Sequence, residues 1–368
     1  MEGPCLDVQD WTPFGRALAA KAMQADVPLS GTLELTAACN LSCVHCYLGP
    51  HQSTGASGRK ELTAGEICGI LDQIASEGCL WLLLTGGEPF VRPDALDIYE
   101  HAKRRGFLIT VFTNGTTLTP SIADHMTDLP PFSIEITLYG RTRATYEGIT
   151  RAPGSYDRCM RGIHLLLERN LPLKLKSMIM TSNLHEIEQM KSFARELGVE
   201  FRYDTEINAG LDGNSVPVSL RVSPEAAVEL DRTDAKRLQG WRDLHRRSKT
   251  LQPRHDYVYR CGAALSNFHV DSFGRLSACV LSRDPSYDVR KGGFREAWHT
   301  LATTVRNMPA TRQTPCRRCE ITWLCGVCPG KSQLEAGHPE AELEYFCRVA
   351  HLRSDLLELS PERSGASK

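Results

Sequence analysis

Up to residue 204, short apolar runs alternate with longer segments whose apolar residues recur at helical spacing. Strands that alternate with helices form right-handed βαβ units, so we predict an α/β fold with a parallel sheet, either doubly wound or a partial barrel. The predicted strands span 32–37, 80–85, 107–113, 132–138, 173–180 and 199–204. The predicted helices span 63–78, 92–106, 119–128, 155–169 and 183–198.

After residue 204 this alternation lapses, and a single helix is predicted at 223–240. Farther along, the composition changes to many turns, short strands and seven cysteines, which predicts a second domain. The predicted organisation is an N-terminal segment (1–31), the α/β domain (32–205), a linker with a helix (206–255), a cysteine-rich domain (256–350) and a tail (351–368), of which the last dozen residues are expected to be frayed.

Composition and charge exclude several classes of protein. Lys and Arg (43) nearly balance Asp and Glu (44), so there is no overall positive field to attract nucleic acid or an anionic membrane. The longest apolar run, 79–84, is too short to span a bilayer, and polar residues interrupt the start of the chain where a signal peptide needs an apolar core. Fourteen cysteines without a secretion signal favour metal binding or catalysis over disulfides. We therefore predict a cytoplasmic protein that holds metal.

Unusual turns follow every predicted strand. In a parallel barrel the carboxyl ends of the strands share one rim, where active sites are built. The sequence thus predicts that these separate turns form a single site. The first turn carries Cys39, Cys43 and Cys46, and the others are TGGEP (85–89), TNGT (113–116), TLYG (137–140), TSN (181–183) and TEIN (205–208).

The first turn holds three cysteines close together, with no fourth cysteine nearby. Three thiolates bind three irons of a [4Fe–4S] cubane and leave the fourth iron open for a substrate or cofactor. A zinc site completed by a distant residue or by His45 is the alternative. The Gly86-Gly87-Glu88 turn favours the cluster, because two glycines let a cofactor approach the backbone and Glu88 supplies a carboxylate for a positive group.

The motifs CNLSCVHC (39–46) and TGGEP (85–89) together resemble the radical S-adenosylmethionine (SAM) superfamily, over roughly residues 30–210. The resemblance implies a partial (β/α)6 TIM-like barrel. It also implies that the open iron chelates the amino and carboxylate groups of SAM, and that one electron from the reduced cluster releases a 5′-deoxyadenosyl radical. That radical abstracts hydrogen from a substrate, as in an oxidoreductase. The implied ligands of this cluster are Cys39, Cys43 and Cys46.

The same resemblance implies roles for other residues. His45 stands at the position that contacts adenine, and the Gly86-Gly87-Glu88 turn matches the site of the methionine amino group. Thr137 stands where many relatives have a ribose-binding serine. Arg151 resembles an arginine that meets the cofactor carboxylate, although a surface arginine before a helix is the alternative. Relatives often have an acid where this chain has Tyr139, so no carboxylate is available at that place.

The C-terminal cysteines form a second pattern. Paired C-x2-C motifs alone suggest zinc ribbons, but seven cysteines do not match the four or eight ligands that zinc would require. Next to a radical-enzyme barrel, the layout resembles the SPASM domain, which adds two auxiliary [4Fe–4S] clusters to many peptide-modifying enzymes. The resemblance implies one cluster on Cys316, Cys319, Cys325 and Cys347, and another on Cys261, Cys279 and Cys328. His255 is a candidate for the fourth ligand of this second cluster. The alternative is a surface histidine and an open site on the cluster, which could bind the substrate or take its electron.

Acid–base residues for the substrate carry a weaker signal. Asp204, Glu206 and Asp212 follow the sixth strand and are candidates to accept a proton after hydrogen abstraction. A loop rich in Asp and Asn more often serves as a turn, which is the alternative.

Three functions fit these features. The first, which resembles the maturases of pyrroloquinoline quinone and mycofactocin, is a radical SAM enzyme that modifies a ribosomally made peptide or protein by crosslinking, thioether formation or oxidation. Only about 32 residues precede the first strand, so we expect a separate leader-binding protein, and we expect an electron donor such as flavodoxin or ferredoxin. The second is a radical SAM dehydrogenase or epimerase with a small-molecule substrate. The third is a non-enzymatic zinc-binding protein.

Overall fold

The structure is a computed structural model that describes residues 11–49, 60–248 and 256–358. Its centre is one sheet. The strands are β1 (Ser30–Glu34), β2 (Trp81–Thr85), β3 (Leu108–Thr113), β4 (Ser133–Thr137), β5 (Leu173–Met178), β6 (Glu200–Asp204), β7 (Asn267–Val270), β8 (Arg275–Ser277) and β9 (Ser286–Asp288). Their order is β6-β5-β4-β3-β2-β1-β7-β8-β9. Strands β1 to β7 are parallel, whereas β8 and β9 pair antiparallel.

Helices connect the first six strands as the sequence predicts, which confirms the α/β class with a parallel sheet. None of the described helices is long and apolar enough to cross a membrane. The described helices are α1 (Trp11–Gln24), α2 (Ala64–Ser76), α3 (Ala95–Arg104), α4 (Pro120–Asp128), α5 (Arg143–Thr150), α6 (Ser155–Glu168), α7 (Ile187–Glu196), α8 (Pro224–Thr233), α9 (Ala235–Ser248), α10 (Val289–Arg306), α11 (Pro329–Ala336) and α12 (Glu344–Glu358).

Local sequence signals explain where several helices begin. Thr63 and Glu66 form a capping box at the start of α2, in which each side chain accepts a hydrogen bond from the backbone N–H of the other residue. Thr119 caps α4 and precedes Pro120, whose missing N–H is not needed in the first helical turn. Ser223 caps α8 in the same way. These caps set where the helices that cover the sheet begin.

The two faces of the sheet differ in chemistry. On the outer face Leu84, Val111 and Ile136 belong to the hydrophobic core that the sheet shares with its helices. On the inner face Phe112 and Lys176 line a cavity. Side chains along a strand alternate between faces, so in β3, LITVFT, Ile109 and Val111 are buried in the core while Phe112 lines the cavity.

The first six strands curve into a partial barrel. The backbone N–H of Leu211, which follows β6, donates to the carbonyl of Tyr47, which follows β1, at 2.8 Å. In a flat sheet the ends of β1 and β6 would be roughly 24 Å apart, given a strand spacing of about 4.8 Å. Curvature therefore brings the turns after the first and last strands together.

The cysteine-rich region joins the barrel through the same sheet. β7 pairs with β1, and the register places Phe268 beside Gly31. A Cβ on Gly31 would lie 2.1 Å from the Phe268 ring, so this ring can pack only against a glycine. Trp298 on α10 is fully buried, and its indole N–H donates to the carbonyl of Asp26 at 2.8 Å. One continuous sheet thus crosses the predicted boundary at residue 256.

Several predicted elements differ from the structure. The helix predicted at 223–240 is two helices, because Asp234 ends α8 and its carboxylate accepts two backbone N–H groups at the start of α9. Helices α1, α5, α10, α11 and α12 are not predicted from the sequence. The predicted tail is wrong over 351–358, which belongs to α12, where Arg353 pairs with the buried Asp231 at 2.8 Å. A buried ion pair therefore holds α12 against α8.

Candidate active site

The carboxyl ends of the first six strands surround a cavity of about 430 Å³. Its wall brings together nine of the twelve residues that the sequence singles out between positions 39 and 212, although they lie far apart along the chain. Glu88, Arg151 and Asp212 do not line it, and neither do the seven C-terminal cysteines. The predicted site residues that line it are Cys39, Cys43, His45, Cys46, Gly86, Gly87, Thr137, Asp204 and Glu206.

Backbone hydrogen bonds hold the cysteine loop against the end of α5. The N–H of Ser42 donates to the carbonyl of Thr150 at 3.0 Å, and the N–H of Val44 donates to the carbonyl of Ile149 at 3.0 Å. The last carbonyls of a helix have no partner within the helix, so the loop supplies donors that α5 needs. A helix that the sequence does not predict therefore positions the three cysteines.

The three half-buried thiols lie near one another. Burial is the main cause that raises the pKa of Cys39 to about 11 and that of Cys43 to about 12, and the Cys46 thiol contributes to both. A thiol loses its proton when it binds a metal, which reverses this preference for the neutral form. The Cys39 sulfur already accepts the backbone N–H of Leu41 at 3.4 Å and the side-chain amide of Asn114 at 3.8 Å.

The donor set fits an iron–sulfur cluster. Among the described residues, no three His, Cys, Asp or Glu side chains converge as the ligands of a single metal ion. Structural zinc sites use four ligands around one ion, whereas a cubane with an open iron uses three thiolates spread over its corners. Three thiols on the wall of one cavity match the second case.

The glycines of the Gly86-Gly87-Glu88 turn serve the backbone of the cysteine loop. The N–H of Gly87 donates to the carbonyl of Thr36 at 2.8 Å, and the N–H of Glu88 donates to that of Ala38 at 2.9 Å. A Cβ on Gly86 would lie 2.3 Å from the Thr36 oxygen, and one on Gly87 would lie 2.2 Å from the Ala38 oxygen. The predicted reason for the glycines, close approach of a cofactor, is therefore incomplete, because the protein chain itself makes the close approach.

The carboxylate of Glu88 is buried among protein donors and does not line the cavity. It accepts the hydroxyl of Thr113 and the backbone N–H of Asn114, both at 2.7 Å, and the hydroxyl of Thr117 at 3.2 Å. Burial raises the pKa of Glu88, and these donors oppose that rise. In this arrangement Glu88 positions Asn114, which faces the Cys39 sulfur. The contact between the Glu88 carboxylate and a positive group of the cofactor stays a prediction.

An unpartnered polar atom of His45 faces the same region. The His45 ring packs edge-on against Tyr139 with ring centroids 5.0 Å apart, and its buried Nδ1 has no hydrogen-bond partner among the described residues. Burial lowers the pKa of His45 to about 4, so the ring is neutral near pH 7. Buried polar atoms normally have a hydrogen-bond partner, so Nδ1 of His45 fits a contact with a bound ligand. The neighbouring Tyr139 donates its hydroxyl to Cys43.

The residues predicted for the ribose and the cofactor carboxylate are placed differently from one another. Thr137 ends β4 and lines the cavity. Arg151 follows α5 with a left-handed backbone, φ 52°, and its side chain is exposed. Both roles stay predictions, and only Thr137 is already directed at the site.

The three acidic candidates after β6 also differ in their position relative to the cavity. Asp212 accepts the backbone N–H of Asn214 at 3.0 Å, which is turn chemistry. Asp204 accepts the N–H of Glu206 at 2.9 Å, and Glu206 pairs with Lys331 of the cysteine-rich region. Asp204 and Glu206 line the cavity, so they remain candidates for proton transfer.

Sequence reasoning missed a charged group on the inner wall. Lys176 on β5 and Arg202 on β6 line the cavity, and both contact the carboxylate of Glu135 on β4. The alternating strand KLKSM carries a signal for them, because Lys176 lies between two buried residues and therefore faces the other side of the sheet.

The seven C-terminal cysteines lie in the two groups that the resemblance implies. The thiol of Cys325, whose pKa burial raises to about 11, has three cysteine neighbours that contribute to the rise, and the thiol of Cys279 has two. Ligation of clusters by these groups stays a prediction, and His255 lies outside the described residues. The first group is Cys316, Cys319, Cys325 and Cys347, and the second is Cys261, Cys279 and Cys328.

A buried ionic network joins β1 to the cysteine-rich region. The carboxylate of Glu34 lies 2.6 Å from the guanidinium of Arg283 and 3.1 Å from Nε2 of His269 on β7. Burial alone would raise the pKa of Glu34, but the contacts with His269 and Arg283 outweigh it and the pKa is lowered. The two regions are therefore coupled electrostatically as well as through the sheet.

Replacing Glu34 by glutamine is expected to lower the free energy of unfolding by about 3 kcal/mol, because the remaining members of a buried ionic network lose their counter-charge. Urea unfolding followed by circular dichroism under anaerobic conditions measures the change. Glu100→Gln is the matched control, since Glu100 pairs with Arg104 at the surface of α3 and should matter far less. Equal effects of the two variants would contradict the coupling.

Comparisons with known proteins agree with this geometry. Residues 33–194 match the Radical SAM superfamily. AdoMet-dependent heme synthase of Methanosarcina barkeri is 28% identical over 336 residues, which cover 85% of this chain and 94% of that protein. Mycofactocin maturase MftC of Mycobacterium tuberculosis is 27% identical over 220 residues, which cover 60% of this chain and 55% of that protein, so the match spans about half of the maturase. The solved structure of Streptococcus suis SuiB bound to precursor peptide SuiA has a TM-score of 0.67 at 15% identity, covering 92% of this chain and 82% of SuiB.

The partial barrel and the thiols at its mouth define an iron–sulfur enzyme. The matched segment runs from β1 to α7 and contains the cysteine loop and the glycine turn. Residues 33–194 therefore form a radical SAM domain. The cofactors of such a domain are S-adenosylmethionine and a [4Fe–4S] cluster that binds it.

Proposed function

We propose that this enzyme modifies a ribosomally made peptide or protein by radical SAM chemistry. The observation that carries the proposal is the cavity wall, where three thiols, the glycine turn and the unpartnered nitrogen of His45 come together. Two similar proteins support a peptide substrate: MftC is a maturase, and the SuiB structure contains a precursor peptide. The cysteine-rich extension on the same sheet, which resembles the SPASM domain, supports it as well.

The chain's own residues prepare the site for its cofactors. When bound, the reduced cluster and SAM supply a 5′-deoxyadenosyl radical that abstracts a hydrogen atom from the substrate. Cys39, Cys43 and Cys46 would hold three irons, and the hydroxyl of Tyr139 stabilises the negative charge of the Cys43 thiolate by donating to it. His45 stays neutral, so its ring offers one donor and one acceptor, a combination that suits the edge of adenine.

We propose that the two C-terminal cysteine groups hold the auxiliary clusters. The group of Cys325 supplies four thiolates, enough for a closed cluster, whereas the group of Cys279 supplies three. The open iron of the second cluster would then bind the substrate or take its electron. Glu206 and its partner Lys331 connect this region to the rim of the barrel.

The cofactors imply partners and a compartment. Reductive cleavage of SAM needs one electron for each turnover, so we propose a donor such as flavodoxin or ferredoxin. A separate leader-binding protein would hold the peptide. Free cysteines in large number persist in a reducing compartment, which supports a cytoplasmic location.

A small-molecule substrate is the second candidate function. The observation that favours it is the match to AdoMet-dependent heme synthase, which covers 94% of that protein. Under this alternative the same cavity and thiols would act on a small molecule, as in a radical SAM dehydrogenase or epimerase.

Anaerobic reconstitution with iron and sulfide is expected to produce brown protein with about twelve irons per chain, from three four-iron clusters. Reduction in the presence of SAM is expected to release 5′-deoxyadenosine, measured by liquid chromatography. A colourless protein that binds zinc and leaves SAM intact would contradict the proposal. The controls are a reaction without enzyme and a reaction without reductant.

The substrate class is tested by binding of a peptide encoded beside the enzyme. Measurable affinity, alone or with a candidate leader-binding protein, and a mass change of that peptide after turnover are expected. Uncoupled release of 5′-deoxyadenosine without any change in the peptide would favour the small-molecule alternative.

A further inference from the structure

Two cations on the inner wall of the cavity have no part in the chemistry described above. Lys176 on β5 and Arg202 on β6 are direct neighbours in the strand register, and both line the cavity. They share one carboxylate, because the Lys176 ammonium lies 3.6 Å from Glu135 on β4 and Arg202 donates a hydrogen bond to the same oxygen. When all three side chains are ionised, this cluster carries a net charge of +1.

The charge on Lys176 is poorly compensated. Its side chain is 17% exposed and its ammonium lies over the ring of Phe112. A buried ammonium is costly unless it is paired, and burial lowers the pKa of Lys176 well below its ordinary value even though Glu135 opposes the change. Arg202 keeps 54% of its side chain exposed, so it has donors to spare for a ligand in the cavity. An anion at this place would supply the missing counter-charge.

We propose that Lys176 and Arg202 bind a carboxylate of the substrate. The guanidinium fork matches the two oxygens of a carboxylate, and the neighbouring ammonium adds a second charged donor. This inference rests on the proposed function and narrows its substrate to a molecule that presents a carboxylate inside the cavity. In a peptide, the group would be an acidic side chain or the C-terminal carboxylate.

SAM also carries a carboxylate, but the position of the two cations favours the substrate. The carboxylate and amino group of SAM are attached to the same carbon, and the glycine turn matched to that amino group follows β2. Strands β2 and β5 are three positions apart in the sheet, on the order of 14 Å measured along it. The cations therefore lie on other strands than the turn matched to the amino acid end of the cofactor, with β3 and β4 between them.

The test uses anaerobically reconstituted holoenzyme saturated with SAM, with sodium butyrate as the carboxylate probe and butyramide as its neutral analogue. Butyrate alone is expected to raise the midpoint of thermal unfolding in a concentration-dependent way, because a ligand that binds the native state stabilises it. Lys176→Met and Arg202→Met are each expected to weaken the apparent affinity for butyrate by about tenfold or more. Lys176→Arg should retain most of it, which separates loss of charge from a failure to fold.

Lys174→Met is the matched control. Lys174 lies on the same face of β5, but its ammonium pairs with Glu200 at 2.9 Å and it does not line the cavity. This variant should bind butyrate like the wild type. Absence of a butyrate effect in the wild type, or an equal loss in Lys174→Met, would overturn the proposal.

Equilibrium dialysis with radiolabelled SAM separates the two sources of a carboxylate. The affinity of Lys176→Met for SAM is expected to equal that of the wild type. About tenfold weaker binding of SAM, with butyrate binding only when SAM is absent, would assign the cations to the cofactor and overturn the proposal. Release of 5′-deoxyadenosine by the wild type tests the proposed function separately. If the wild type bound butyrate but released no 5′-deoxyadenosine, the radical chemistry would be rejected and the carboxylate site would be retained.

Discussion

Changing Cys39, Cys43 and Cys46 together to alanine is expected to abolish cleavage of SAM by the reconstituted enzyme. Three thiolates are needed to hold a cubane with one open iron, and these three lie on the wall of one cavity. The iron content should fall from about twelve to about eight per chain, because the two C-terminal groups keep their clusters. Iron analysis and quantification of 5′-deoxyadenosine after reduction measure the two effects.

Cys68→Ala is the matched control for this variant. Cys68 lies on α2, is half-buried and does not line the cavity, so its loss should leave iron content and SAM cleavage unchanged. Circular dichroism checks the fold of the triple variant, whose loop is also held to α5 by backbone bonds from Ser42 and Val44. A triple variant that retained its full iron content and activity would refute the assignment of the cluster to this loop, and the proposed radical chemistry would have no site.

The barrel could be predicted from the sequence because each of its strands has one face towards the hydrophobic core and the other towards the cavity. In β2, Leu82 and Leu84 face the core while Thr85 faces the cavity, and similar alternation recurs in the neighbouring strands. The C-terminal region lacks such a signal. In α10, the pair Gly292 and Gly293 interrupts the helical periodicity, with Gly293 at φ 77°, and the regular helix resumes only beyond it. The pairing of β7 with β1 joins residues far apart in sequence and leaves no local pattern.

The sequence predicts which residues belong to the candidate site better than it predicts which groups their side chains contact. The rule that parallel strands end at one rim correctly brought the cysteine loop, the glycine turn and Thr137 together. A motif does not reveal which protein groups a side chain contacts, and the donors that surround the Glu88 carboxylate are visible only in the structure. Lys176 and Arg202 are hard to recognise for a related reason. Alternation places Lys176 on the face opposite its buried neighbours, but that face encloses a cavity only because the sheet curves.

Adding a single methyl group at Gly87 should have a large effect on both stability and SAM cleavage. The turn after β2 and the loop after β1 run side by side at hydrogen-bond distance, with the N–H of Gly87 2.8 Å from the carbonyl of Thr36. A Cβ on Gly87 would lie 2.2 Å from the oxygen of Ala38 and 2.7 Å from that of Ala37. Both are backbone atoms, and the oxygen of Ala38 accepts the N–H of Glu88 at 2.9 Å, so they cannot move aside as a flexible side chain would. The methyl group must therefore push the start of the cysteine loop away from the turn.

Gly87→Ala is accordingly expected to lower the free energy of unfolding by about 3 kcal/mol and to slow SAM cleavage by about 100-fold, since a displacement near 1 Å at a reacting centre has consequences of that order. Gly69→Ala is the matched control, because Gly69 is exposed within α2, a Cβ there meets nothing within 4 Å, and alanine should stabilise the helix by about 0.5–1 kcal/mol. Urea unfolding and a single-turnover assay of 5′-deoxyadenosine measure both quantities. If Gly87→Ala behaved like Gly69→Ala, the close approach of turn and loop would be absent in solution, and the glycine would have to be explained by contact with the cofactor alone.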